Sequence, residues 1–525
     1  MTAVAAPARA ARLPRGSGAA LGVIALIAVW EIAARALTGL YVLAAPSEVA
    51  AWLFANRGLM SRALGVTLTN AAAGFVIGNL AAILLAALAL LWPRSERVVT
   101  GLALLVFCLP FVATGPILRV VYGPGPGPQI TIAALAVYYT TLIPLLVGLR
   151  AAPAGWFDIV RSYGRGRLAA LIHVRARASL PYLFAGLQIA APAAFLGAMV
   201  GEFTGAEAGM GVLTLRAMRS LDLGMTWALA TVATGVSVFA FVAIGALSRR
   251  VLRDQPPVIL ALPDPPAVSA GGLRSAAAVT AIALLLWWTI PALLDLNPFF
   301  AKRPDDVARA LIFDADAHRT RETLAAALTE TGALLLPGYF AGILAGAGLA
   351  VIFILVPTAT SVAMPIAIAL RSVPIVTTAP LVVLLLGRGA LGTIVLVAIM
   401  VFFPTFVACL HGLRQAPGQI LDVFDSYAAG RLQQLLRVRI PAMLPAFFAA
   451  ARMAVPASVL AVTVVEWLGT GRGIGSLMAM SASLSDYDML WSAVVIVSVL
   501  SALGYAAVGF VERRVLRTYA PEQLA

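Results

Sequence analysis

Two sets of polar and charged residues recur along the chain at one fixed spacing. Asp158, Ser162, Tyr163, Gly164, Gly166 and Arg167 return 264 positions later as Asp422, Ser426, Tyr427, Ala428, Gly430 and Arg431. Glu202, Gly205, Gly209 and Gly211 return as Glu466, Gly469, Gly473 and Gly475. From 158 to 211 the chain aligns with 422–475 without a gap, and 23 of 54 positions are identical. This is a duplication, so whatever these residues do is done twice. They do not suggest catalysis. His173, His318 and His411 are scattered, with neither metal-ligand spacing nor a nucleophile and base pairing. Lys302 is the only lysine, so the phosphate-cradling loop that sets a lysine against a nucleotide cannot form. No catalytic residue, metal or cofactor is expected in this chain.

The first set suggests docking. After Gly166, Leu168, Leu171 and Ile172 fall at i, i+3 and i+4, and Leu432, Leu435 and Leu436 repeat the spacing after Gly430. With Arg167, Arg175, Arg431 and Arg439 on the polar side, each copy is expected to be a short helix with one apolar and one basic face. Such a helix can lie on anionic lipid. That reading leaves unexplained the shared Ser-Tyr and the closing Leu-Pro at Pro181 and Pro445, which fit a docking helix for a partner that engages both halves. Glu202 and Glu466 each precede a glycine-rich turn. An acid in a membrane span is a functional candidate, but a carboxylate satisfying the turn amides is the favoured reading. Arg371 takes the position that Phe107 holds in the first copy; it either marks a pathway or pairs at a helix seam. Pro110 and Pro374 kink the third span of each copy, either along a cavity or only for packing.

The elements that must position these residues are membrane spans. The chain has 525 residues, 61% of them hydrophobic and 11% charged, with a mean hydropathy of +0.96. These values lie outside the soluble range. The net charge of +14 comes from short basic clusters between apolar runs, so it reads as topology and not as a nucleic-acid surface. Cys108 and Cys409 lie within apolar runs and offer no disulfide framework. Spans are expected near 18–37, 64–91, 98–121, 130–149, 181–200 and 225–247, then 276–294, 328–356, 362–386, 391–413, 445–467 and 489–510. Each is long enough to cross about 30 Å of hydrocarbon. The chain thus divides into an N-terminal tail (1–17), a first six-span unit (18–253), a Pro-rich linker (254–272) and a second six-span unit (273–525). The fold class is all-α integral membrane, a tandem duplication with about twelve spans.

The first apolar run has no convincing cleavage site and reads as an uncleaved span. Placing the N-terminus inside puts 22 of the 37 basic residues on the cytoplasmic side, 11 outside and four (Arg35, Arg119, Arg371, Arg452) in or at the edges of spans. The positive-inside rule then places both termini, the linker and both repeated loops in the cytoplasm. An even span count gives the units the same orientation, related by an axis along the membrane normal.

These features resemble the membrane subunits of binding-protein-dependent ATP-binding-cassette importers, of the nitrate, sulfonate and taurine type. The family's cytoplasmic signature runs acid-Ala-Ala, three residues, Gly, nine residues, Ile-x-Leu-Pro. Asp158, Gly164 and Val174 match it in the first copy, where Arg177 replaces a proline. Asp422, Val438 and Pro441 match it in the second, where Ala428 replaces the glycine. The glutamate and glycine turns, and the Arg371-x-x-Pro374 entry to a span, are also similar. The resemblance implies an importer fold in the bacterial inner membrane, with loops 158–181 and 422–445 docking two copies of a cytoplasmic ATPase subunit that binds the ATP. It also implies an external or periplasmic solute-binding protein, and two permease units fused in one chain. A six-plus-six secondary transporter would need coupling acids or histidines inside the membrane, which are nearly absent. A membrane enzyme would need clustered catalytic residues.

Overall fold

The computed structural model describes residues 17–37, 43–92, 95–123, 125–152, 154–220, 222–252, 270–356 and 389–519, with 382, 386 and 387. Among these every element is helical. The first unit comprises α1 (Ser17–Ala36), α2 (Pro46–Ala55), α3 (Arg57–Leu91), α4 (Glu96–Phe107), α5 (Phe111–Tyr122), α6 (Gly127–Arg150), α7 (Ala154–Ser162), α8 (Arg167–Ala170), α9 (Ala176–Glu202), α10 (Met210–Ser220) and α11 (Leu223–Val251). The second comprises α12 (Ala270–Leu293), α13 (Pro304–Ala308), α14 (Ala317–Leu355), α15 (Ala390–Arg414), α16 (Gly418–Ser426), α17 (Arg431–Gln434), α18 (Ile440–Val465), α19 (Ile474–Ser483) and α20 (Tyr487–Tyr519). Nine described helices are long and apolar enough to cross a membrane. Arg371, Pro374 and nearly all of the linker lie outside the described residues.

Each unit is built on a three-helix core, α3–α6–α9 and its counterpart α14–α15–α18. In lipid no hydrophobic force separates helices from solvent, so close backbone approach must hold them together, and small residues permit it. Gly74 and Gly78 on α3, and Gly338 and Gly342 on α14, supply this approach. A Cβ on Gly78 would lie 2.6 Å from the Ala134 carbonyl, and one on Gly342 would lie 2.6 Å from the Ala398 carbonyl, its equivalent. The units meet where α12 packs on α4 and α5 packs on α18 and α19; Gly101 of α4 sits directly against Val279 of α12.

The third span of the first unit is not the continuous helix expected over 98–121. It breaks at Cys108–Pro110 into α4 and α5, each of 12 residues. Pro110 has no N–H to continue α4 and takes an extended conformation (φ −73°, ψ 104°), while its carbonyl accepts from Thr114 N to start α5. Just before the break the Tyr138 hydroxyl donates to the Ala103 carbonyl and ties α4 to α6. Phe107, the counterpart of Arg371, ends α4 stacked on Tyr139 at 4.3 Å.

Gly342→Ala is expected to lower the apparent thermal unfolding midpoint of the detergent-solubilised chain, by overpacking that costs about 1–3 kcal/mol. Gly348→Ala, where a Cβ meets open space, should leave it unchanged.

Candidate functional site

The repeated loop differs from its sequence-based picture. The isolated short helix lies before Gly166, as α7, and before Gly430, as α16. After each glycine the chain does not form a separate amphipathic helix. It passes through α8 or α17 and one π-helical turn (Leu171–Arg175, Leu435–Arg439) straight into the fifth span. Loops 158–181 and 422–445 therefore end early: Pro181 and Pro445 lie inside α9 and α18, and Pro441 sits in the first turn of α18. The reason is burial, because Leu435 and Val438 are drawn into the core while Leu432 and Leu436 stay exposed.

Both short helices close in the same way. Gly164 takes a left-handed conformation (φ 64°), its N–H donates to the Arg161 carbonyl, and Arg165 N donates to Val160 O. At the second site Ala428 (φ 50°) donates to Asp425 O and Ala429 N donates to Phe424 O. This is the Schellman closure, which favours glycine at the left-handed position. Ala428 meets it with a Cβ, at a cost of about 1–2 kcal/mol. Ser162 and Ser426 bond back to Ile159 O and Val423 O. Asp158 pairs only loosely with Arg161 (3.6 Å), and Asp422 is exposed. Arg167 begins α8, and Arg431 is the exposed first residue of α17, where Gly430 N-caps.

Of the residues left uncovered, Tyr163 and Tyr427 were expected to dock a partner, and the apolar residues before them were not. Trp156, Ile159 and Tyr163 form an exposed stripe at i, i+3 and i+7, and Ile420, Val423 and Tyr427 repeat it at the equivalent positions. Tyr163 is 79% and Tyr427 83% exposed. The signal was legible as a helical period running up to each tyrosine, but its first members, Trp156 and Ile420, stand just before the aligned segment.

At the opposite end of the fifth spans lie two matching clamps. The Glu202 carboxylate accepts from the Thr67 hydroxyl (2.7 Å) and from Gly211 N (2.7 Å), and Met210 N donates to Thr67 Oγ1 (2.8 Å). Glu466 accepts from Thr331 (2.7 Å) and Gly475 N (2.8 Å), while Ile474 N donates to Thr331 (2.9 Å). Both carboxylates are fully buried. Gly209 and Gly473 must be glycines, since a Cβ there would meet the carboxylate at 2.2 Å. The clamps thus tie the turn after the fifth span to the second span. The next residues, Phe203 and Trp467, contact each other edge to face at 5.6 Å. They occupy equivalent positions, and a residue touching its own mate lies on the two-fold axis. Around them Ala198, Met199, Val462 and Val465 share one apolar cluster.

One polar feature was missed. Arg452 and Glu512, 2% and 4% exposed, form an ion pair at 3.1 Å between α18 and α20, and Arg452 lies 5.8 Å from the Tyr505 ring. The first unit has Gln188, Ser248 and Phe241 at these positions, with Gln188 donating to Phe241 O. Arg452 was visible as a cation within a span, but its partner lies 60 residues away on another helix. Among the described residues no group of His, Cys, Asp and Glu could hold a metal.

Thr331→Val should destabilise the protein by about 1–3 kcal/mol, because a buried carboxylate and an amide each lose a partner; Thr331→Ser should be near neutral. Glu512→Ala, which strands Arg452, should cost about 3–5 kcal/mol. The double change Arg452→Gln with Glu512→Ser, copying the first unit, should recover most of that loss. Denaturant unfolding in detergent reads both comparisons.

Comparison with known proteins agrees with the duplication. A model of the binding-protein-dependent transport system inner membrane component matches twice, at residues 78–253 and 338–517. A probable ABC transporter permease protein of Haemophilus influenzae is 28% identical over 238 residues, covering 45% of this chain and 94% of that protein. The formylaminopyrimidine transport permease protein ThiX of Halalkalibacterium halodurans is 30% identical over 152 residues, or 29% of this chain and 61% of its own length. The nitrate import permease protein NrtB of Leptolyngbya laminosa is 25% identical over 179 residues, or 34% of this chain and 64% of its own. A single-unit relative spanned almost end to end by less than half of this chain, and two matches in tandem, carry one conclusion: the chain belongs to the family of binding-protein-dependent transport system inner membrane components, with two permease units in one polypeptide.

Proposed function

We propose that this chain forms the complete translocation pathway of an ATP-binding-cassette importer in a bacterial inner membrane, with both termini cytoplasmic. Two copies of a separate ATPase subunit dock on α7 and α16, and an external solute-binding protein delivers the solute. The observation that carries this reading is the pair of equivalent exposed stripes, Trp156–Ile159–Tyr163 and Ile420–Val423–Tyr427. Lipid would not require the tyrosines to recur at the same helical register, whereas a groove on two identical partners would.

The geometry suggests how docking reaches the pathway. From Arg167 to Glu202 the chain is helical without interruption, as it is from Arg431 to Thr470. Displacement of α7 or α16 is passed through a tight Schellman turn to a rod of about 50 Å. The far end of each rod carries the clamped turn and the aromatic residue on the axis. Drawing the rods apart would separate Phe203 from Trp467 and open the apolar plug, which is alternating access by rigid elements. ATP is bound by the partner and not by this chain, whose single lysine leaves it without a phosphate loop. The solute is a small one, of the nitrate, sulfonate or taurine kind. The names of the relatives, which include nitrate and formylaminopyrimidine permeases, support a small anionic or heterocyclic solute.

The two docking sites are unequal in detail. The second carries the strained Ala428 and a strut from Gln434 Nε2 to Asp425 Oδ1 (2.5 Å), whereas the first has Arg175 over the Phe157 ring (5.0 Å). Tyr163→Ala and Tyr427→Ala should therefore reduce substrate-stimulated ATP hydrolysis in the assembled complex to different extents, and equal losses would count against unequal coupling. The importer reading itself is lost if no ATPase subunit co-purifies, or if uptake continues without ATP while an ion gradient is held.

A further inference from the structure

The first unit carries an open pocket of about 790 Å3, with charged side chains on a largely apolar lining, between the start of α3 and the segment from Glu207 to Arg216, on the face opposite the docking helices. Its chemistry is set by Arg62 and Arg216, by Glu207 at the wall, and by the side chains of Ser61, Thr69 and Asn70. Two guanidinium groups and one carboxylate leave it cationic. Ser61 and Thr69 use their hydroxyl protons on Gly58 O and Gly65 O, so their oxygens add little to an anion. Asn70 differs. It is 6% exposed, lines the pocket, and its amide makes no hydrogen bond among the described residues. The Asn70 amide is thus available to donate to a group in the pocket.

The second unit removes this chemistry while keeping the fold. Arg62, Asn70 and Arg216 become Ala326, Leu334 and Met480, and the wall there carries Glu330, whose carboxylate is already used on Gly473 N (3.0 Å). Neither the clamp nor the helix packing therefore requires two arginines and an asparagine in the first unit. A planar or tetrahedral oxyanion is what paired guanidinium groups and an amide donor recognise. We propose that this pocket binds the oxyanion of a small solute or of a lipid headgroup, and that it does so only in the first unit. Gly209 is both a wall of the pocket and the cover of the Glu202 carboxylate, so an occupant rests on the clamped turn.

Binding of radiolabelled inorganic sulfate to the full chain in detergent, read by scintillation proximity, tests it. Saturable binding at one site per chain is expected. The triple variant Arg62→Ala, Asn70→Leu, Arg216→Met installs residues that the second unit already tolerates, and should weaken binding more than about tenfold, the loss expected for charged hydrogen bonds. Arg62→Gln alone serves if the triple variant does not fold. In nanodiscs, retention of phosphatidylglycerol by the native chain but not by the variant, with competition against sulfate, identifies a lipid headgroup as the source; sulfate binding indifferent to phosphatidylglycerol identifies a free solute. The proposal is overturned if neither sulfate nor phosphatidylglycerol is held saturably, or if the variants hold them as the native chain does.

Discussion

A buried carboxylate at the end of each fifth span sets the geometry of the pathway end. Glu202 and Glu466 cannot reach water, so each must find donors inside the protein. The donors come from two directions: a threonine hydroxyl on the second span, and backbone amides of the turn that follows the carboxylate itself. Satisfying one charge therefore fixes the fifth span, the turn and the second span together. Phe203 and Trp467, one residue further along, inherit their position from that constraint and meet on the axis. The cover glycines follow from the same requirement, since no other side chain leaves room for the carboxylate.

The other end of the same rods is built from exposed surface and a tight closure. Apolar residues on α7 and α16 are left uncovered, while Val174, Leu435 and Val438 on the next turns are drawn inward. The contrast has a simple origin. A helix continuous with a membrane span must pack one face into the bundle, whereas a helix separated from it by a left-handed residue can point away. Gly164 and Ala428 make that separation, one at little conformational cost and the other with strain.

Duplication within one polypeptide lets equivalent positions diverge, and the structure uses that freedom at several places. A buried ion pair in the second unit is replaced in the first by a serine and a glutamine whose side-chain amide donates to the Phe241 carbonyl. A carboxylate that pins the Gly473 amide has only Val66 as its counterpart. Two separate chains of identical sequence could not hold such differences. Residues lost or gained on one side only are accordingly informative about what the fold itself does not need.

The sequence by itself determined the class, the duplication and the family resemblance, because composition, fixed offset and glycine placement are properties of the chain read in one dimension. Most spans were legible from length and hydropathy, and the glutamates could be weighed as satisfying turn amides because their neighbouring glycines are adjacent in sequence. Tertiary structure decided the rest. Thr67 and Thr331 lie 135 residues from the glutamates they serve, and Glu512 lies 60 from Arg452, so no local pattern joins them. The break at Pro110 depends on how α4 and α5 each pack against α6. Which apolar stripe is buried and which stays open for a partner depends on where each short helix points once the spans are packed, and Leu435, buried against the core while Tyr427 stands in the open, shows that composition alone does not choose between them.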